Sequence, residues 1–196
     1  MIEEFQEKWS EPRWLAPNRV ASLPDVGGVA GYLDHLVARL GRATSWLTLL
    51  LVLLVAGDVL FRYIWHVSSV AEQEFEWHVL AVIAMIGASY TLQQGEHVRV
   101  DIFYQNYSLR MKQWMDVLLP SLVIVPTMLF ISWLSLNFVS MSWEIAEGSP
   151  DPGGLPGRYL IKAFVPLGFF LIAIQGVAMT IYGILQLKQS EHSEHG

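Results

Sequence analysis

Four apolar runs, at residues 44–64, 75–92, 114–138 and 159–185, constrain this chain more than anything else in it. Each has at least 18 residues. At about 1.5 Å per helical residue, that is enough to cross a hydrocarbon layer of roughly 30 Å, the second run being at the short end. Composition agrees. Hydrophobic residues make up 53% of the 196-residue chain and charged residues 15%. Soluble domains run at about 45–50% and about 25%. The sequence therefore predicts an all-α integral membrane protein with four transmembrane helices.

The segments between the runs refine this. Residues 1–27 are polar and contain Pro12 and Pro17, which predicts an irregular cytoplasmic tail without a signal peptide. In residues 28–43, Val29, Leu33, Leu36, Val37 and Leu40 recur at helical spacing, while Asp34, His35, Arg39 and Arg42 take other faces. That pattern predicts an amphipathic helix, either flat on the cytoplasmic membrane surface or packed on protein. Trp46 and Trp65 bracket the first span, 19 residues or about 28 Å apart. Asp58 and Arg62, four residues apart near its far end, predict an ion pair on one helix face. Glu72, Glu74 and Glu76 stand at the entrance of the second span.

That second span ends abruptly. Residues 81–104 begin as an apolar helix, stop at Gln93-Gln94-Gly95 and continue as the charged, alternating Glu96-His97-Val98-Arg99-Val100-Asp101. Ser108 reads as a helix N-cap, and Arg110, Lys112 and Gln113 precede the third span at the interface. Pro120 and Pro126 are expected to bend that span. The proline- and glycine-rich loop at 144–158 leads to the fourth span, where Lys162 is placed to snorkel. Residues 186–196 read as a short cytoplasmic tail. His192 and His195 in it are a weak metal pair beside the simpler reading of a disordered end.

Two small-residue stripes share one spacing. Ala81, Ala84, Ala88 and Thr91 lie on one face of the second span, and Ala173, Gly176, Thr180 and Gly183 on one face of the fourth. Small residues so placed permit close helix contact, on each other or on a partner; membrane helices are also simply rich in them.

Basic residues set the orientation. Nine fall on one side (Lys8, Arg13, Arg19, Arg39, Arg42, Arg99, Arg110, Lys112, Lys188) and three on the other (Arg62, Arg158, Lys162). The richer side should be cytoplasmic, and it holds both termini.

The chemistry is sparse. A bis-histidine haem needs ligands on facing helices inside the bilayer, but His78 lies near a span end, His66 and His97 lie outside, and the third and fourth spans have no histidine. Ser89 has no evident histidine base. The charges cluster at the ends of the first two spans, not along an ion path. No catalytic, cofactor-binding or metal residue is expected. The chain reads as a helper of another membrane protein. Three other readings fit the residues: a redox-enzyme anchor, a small autonomous transporter, and an assembly factor.

The run from Phe61-Arg62-Tyr63, through Glu74-Phe75-Glu76-Trp77, to Leu92-Gln93-Gln94-Gly95-Glu96-His97-Val98-Arg99-Val100-Asp101 resembles the small permease subunit of tripartite ATP-independent periplasmic (TRAP) transporters. Ser142-Trp143-Glu144, Gly153-Gly154-Leu155-Pro156 and Ile161-Lys162 extend the resemblance, toward the mannitol/chloroaromatic-type branch. It covers residues 40–185. It implies a multi-pass subunit of the bacterial inner membrane that scaffolds a large multi-span permease. A periplasmic binding protein would deliver the solute, often an organic acid, with sodium as the coupling ion and no cofactor. Asp58, Arg62, Glu74 and Glu76 are the candidates for a charged cluster at the periplasmic ends of the first two spans, beside interfacial solvation. His97, Arg99 and Asp101 are candidates to lock the cytoplasmic turn or grip the large subunit, beside simple anchoring. The 144–158 loop either touches the binding protein or serves as a rigid turn.

Overall fold

The computed structural model describes residues 28–94 and 109–194. Five α-helices are found among the described residues: α1 Val29–Trp65, α2 Val70–Gln94, α3 Leu109–Leu119, α4 Val125–Glu144 and α5 Arg158–Glu194. A π-helical segment, Pro120–Ile124, joins α3 to α4, so the two form one crossing from Arg110 to Glu144. Among the described residues four helices are long and apolar enough to cross a membrane, and all four expected runs lie inside them.

Several boundaries differ from the sequence expectation. No break separates residues 28–43 from the first span; both belong to the 37 residues of α1. The buried side of the first half of α1 is Ala30, Asp34, Val37, Gly41 and Thr44, which face protein. α2 starts at Val70, five residues before the expected span, so the entrance residues Glu72 and Glu74 are helical together with Glu76. α5 runs on to Glu194 through residues expected as a tail, because 184–194 contain no glycine or proline to stop it. The side chains of His192 and His195, like residues 1–27 and 95–108, lie outside the described set.

The bend expected in the third span takes the form of the π turn. Pro126 has no N–H to donate, and its ring crowds the carbonyl four residues back. The turn just before it widens, and the Val125 N–H bonds the Pro120 carbonyl five residues back.

The hub is α5, which packs against every other helix. In its most apolar window 39% of residues are buried, against 6% for α1, whose apolar side chains face outward. Close approach is achieved through glycine. A Cβ on Gly168 would lie 2.9 Å from the Met85 main-chain oxygen of α2, and one on Gly183 would lie 2.7 Å from Val117 of α3. At Gly41 of α1 a Cβ would overlap the ring of Tyr90 of α2, 2.2 Å from Cγ.

Of the two alternatives for the small-residue stripes, on each other or on a partner, the glycine contacts do not support the first. The two glycines of the fourth-span stripe face the third crossing and not the second-span stripe. Gly176 faces Val125 and Ile124, and Gly183 faces Val117 and Asp116, all in the third crossing. On α2, Ala84 and Thr91 are exposed and Ala81 and Ala88 half-buried, so that stripe stays largely uncovered. The reason is rotational: α2 presents Met85 and Ser89 inward, and Ala84 falls on the other side.

Candidate functional site

Charged side chains gather where the α1–α2 turn and the α4–α5 loop meet. Asp58 and Arg62 form the expected i, i+4 pair at 2.6 Å, with the Asp58 side chain 8% exposed. His66 closes α1 in a left-handed conformation, φ 55°, and its ring contacts the Arg62 carbonyl at 3.3 Å. From α2, Glu76 is coupled electrostatically to Asp58, Arg62 and Glu72. Of the four residues expected to cluster, Asp58 and Arg62 are in direct contact, and Glu76 lies within electrostatic reach of both.

Glu74 is the exception. Residues two apart on a helix point to different sides, so with Glu76 toward α1, Glu74 turns to α5 and its preceding loop. Its carboxylate accepts hydrogen bonds from the Ser149 hydroxyl, the Leu155 N–H at 2.6 Å and the Arg158 guanidinium at 3.2 Å. Sequence makes these donors available for local reasons. Gly153 and Gly157 take φ of +82° and +78°, which folds the loop back on itself. Gly154 brings the main chain against the carboxylate: a Cβ there would be 2.7 Å from Glu74 Oε2 and 2.3 Å from Ser149 Oγ. The Ser149 N–H bonds the Leu155 carbonyl at 3.1 Å, and the Arg158 N–H bonds the Glu147 carbonyl at 2.9 Å. The loop is thus a compact turn gripped by one carboxylate from the neighbouring helix.

Lys162 also finds a protein partner and does not reach outward. Its ammonium donates to Glu147 and lies 4.2 Å from the centre of the Phe138 ring. That donation, above all, holds the Glu147 carboxyl below its ordinary value of 4.5. Trp143 packs edge-on against Tyr159, with centroids 4.7 Å apart, so the flanks of the loop are tied as well.

A second polar group lies near the other end of α2. Gln175 of α5, 2% exposed, donates to Asp34 Oδ1 at 3.1 Å, and Gln93 of α2 donates to the Asp34 carbonyl at 2.8 Å. Asp34 is itself only 6% exposed. Sequence reasoning missed this triad. Asp34 sat on the polar side of an amphipathic pattern and Gln93 in an exit turn. The one available signal was Gln175, an amide inside an apolar helix. Ser89, completely buried, donates to the Ile86 carbonyl at 2.8 Å and is accounted for within its own helix. His97, Arg99 and Asp101 lie outside the described residues.

The arrangement braces helices. Among the described residues no group of three or more histidine, cysteine, aspartate or glutamate side chains is placed to hold a metal ion. The family model described as "Tripartite ATP-independent periplasmic transporters, DctQ component" matches residues 51–186. That match is to the component as a whole and does not distinguish the mannitol/chloroaromatic branch. Neither curated proteins nor solved structures give a match.

Proposed function

Because this chain belongs to the DctQ component family of TRAP transporters, we propose that it is the small membrane subunit that braces a large multi-span permease in the bacterial inner membrane. A periplasmic binding protein delivers the solute, an organic acid, and a sodium gradient drives its import. Both termini lie in the cytoplasm, following the basic-residue bias. The Glu74-gripped loop then faces the periplasm, where a preformed turn suits docking of the binding protein. The family match over 51–186 carries this reading. The outward apolar side chains of α1 support it, offering surface for a partner or lipid.

In this reading His97, Arg99 and Asp101 hold the cytoplasmic turn against the large subunit, and Arg99 has the donor fork for that contact. The α2 stripe of Ala81, Ala84, Ala88 and Thr91 is a helix-packing surface for the same partner. The test is a tagged pull-down from membranes in mild detergent. A stoichiometric large polytopic partner is expected, and Arg99→Ala should reduce its recovery. Uptake into liposomes should require this chain, the partner, the binding protein and a sodium gradient. Uptake by this chain alone would overturn the proposal.

A further inference from the structure

The first half of α1 has two opposed faces, and the bundle fixes which way each points. The inner face is held by the Asp34–Gln175 and Asp34–Gln93 hydrogen bonds and by Gly41 against Tyr90. Roughly opposite, at 3.6 residues per turn, runs a second stripe: Tyr32, His35, Arg39, Arg42 and Trp46. All five are exposed, Tyr32 by 72% and Trp46 by 74%. Among the described residues neither guanidinium has a carboxylate partner.

Depth supplies the ligand chemistry. Trp46 and Trp65 mark a stretch of about 28 Å, the thickness of the hydrocarbon core. Along the helix, Arg42 then stands about 6 Å and Arg39 about 10 Å beyond the Trp46 boundary. That is the headgroup layer. The two arginines are about 4.5 Å apart along the axis, close enough for both forks to meet one phosphate. Leu33, Leu36 and Leu40 line the adjoining side of the helix, where acyl chains would run.

We infer that the Tyr32–Trp46 face of α1 binds an anionic phospholipid, its phosphate held by Arg39 and Arg42 and its headgroup bracketed by Tyr32 and Trp46. Charge complementarity selects an acidic lipid over a zwitterionic one, because the stripe carries two cations and no carboxylate. Bound lipid would fix the N-terminal half of α1 in the leaflet. This goes beyond the proposed subunit role and does not depend on it.

The experiment uses the full chain in a nonionic detergent. Phosphatidylglycerol and phosphatidylcholine of the same acyl length are titrated separately, with thermal unfolding and native mass spectrometry as readouts. Phosphatidylglycerol should raise the unfolding temperature and stay bound, and phosphatidylcholine should do neither. Arg39→Gln/Arg42→Gln should unfold at the wild-type temperature without lipid and bind phosphatidylglycerol roughly 10- to 30-fold more weakly. Arg39→Lys/Arg42→Lys, which keeps charge but loses the forks, should fall between and tests the site even if the glutamine variant folds poorly. Undiminished phosphatidylglycerol binding by the glutamine variant, equal stabilisation by phosphatidylcholine, or the same effect from inorganic phosphate would overturn the inference. So would loss of the large subunit from that variant with lipid retention unchanged, which would assign the stripe to a protein partner.

Discussion

Replacing Gly168 by alanine should drive α2 and α5 apart, and Gly87→Ala provides the matched control. Both glycines lie within helices, so each variant gains the same helix propensity, about 1 kcal/mol. At Gly87 an added Cβ meets nothing within 4 Å. At Gly168 it meets Met85 Cβ and the Met85 main-chain oxygen, both at 2.9 Å. Carbon contacts are optimal at about 3.5–4.0 Å, so relief requires a shift of at least roughly 0.5 Å. Main-chain atoms cannot swing aside as a side-chain tip can, so the helices themselves must move. A gap of that order forfeits a quarter or more of the dispersion along the contact. Overpacking of this kind costs about 1–3 kcal/mol. The difference between the two variants isolates that term, since propensity cancels. With about 2–4 °C per kcal/mol for a chain of this size, Gly168→Ala should unfold about 2–12 °C below Gly87→Ala. Tryptophan fluorescence during heating in detergent reads it directly. Equal temperatures, or a higher one for Gly168→Ala, would refute the claim that glycine sets the α2–α5 distance.

Glu74→Ala and Gly154→Val should each release the α4–α5 loop, one by removing the acceptor and the other by blocking main-chain approach. Faster cleavage within 145–157 by a non-specific protease is expected for both, and wild-type cleavage rates would count against the carboxylate grip. Asp34→Ala leaves the buried Gln175 amide without its acceptor, at a cost of about 1–3 kcal/mol. Asp34→Asn retains an oxygen and should cost less, so identical unfolding temperatures would argue that the hydrogen bond is immaterial. Glu147 has a depressed folded-state value, so the stability it contributes is present above its ordinary value of 4.5 and lost as pH falls through the depressed one. The gap in unfolding temperature between wild type and Glu147→Gln should therefore be open at pH 7 and close in acid. A gap independent of pH would show that the Lys162 contact is not the cause.

Span number and approximate limits were legible because they depend on local chemistry. A run of apolar residues long enough to cross the bilayer must be helical, since no solvent there can satisfy its main chain. The Asp58–Arg62 pair was legible for the same reason: four residues along one helix fix the separation. The bend at Pro120 and Pro126 was legible as a site of irregularity, although its π form was not. Ends were read less well. Residues 186–194 look like a tail by polarity, yet they carry no stop signal, and α5 simply continues.

What the sequence could not supply was the rotation of each helix about its own axis. Glu74 and Glu76 are two residues apart and were grouped together, but tertiary packing sends one to the α4–α5 loop and the other to α1. The same uncertainty hid the Asp34–Gln93–Gln175 triad, whose members come from three helices and look ordinary one at a time. It also left open which surface each small-residue stripe meets, because equal spacing says that a face is flat and nothing about which neighbour lies against it. By itself, then, the sequence determined that this chain is a four-span helical membrane protein, since hydrophobic length is a one-dimensional property. Tertiary structure alone decided which carboxylate grips the loop, which glycines set helix distances and which α1 face turns outward. Those depend on contacts between residues as many as 141 positions apart.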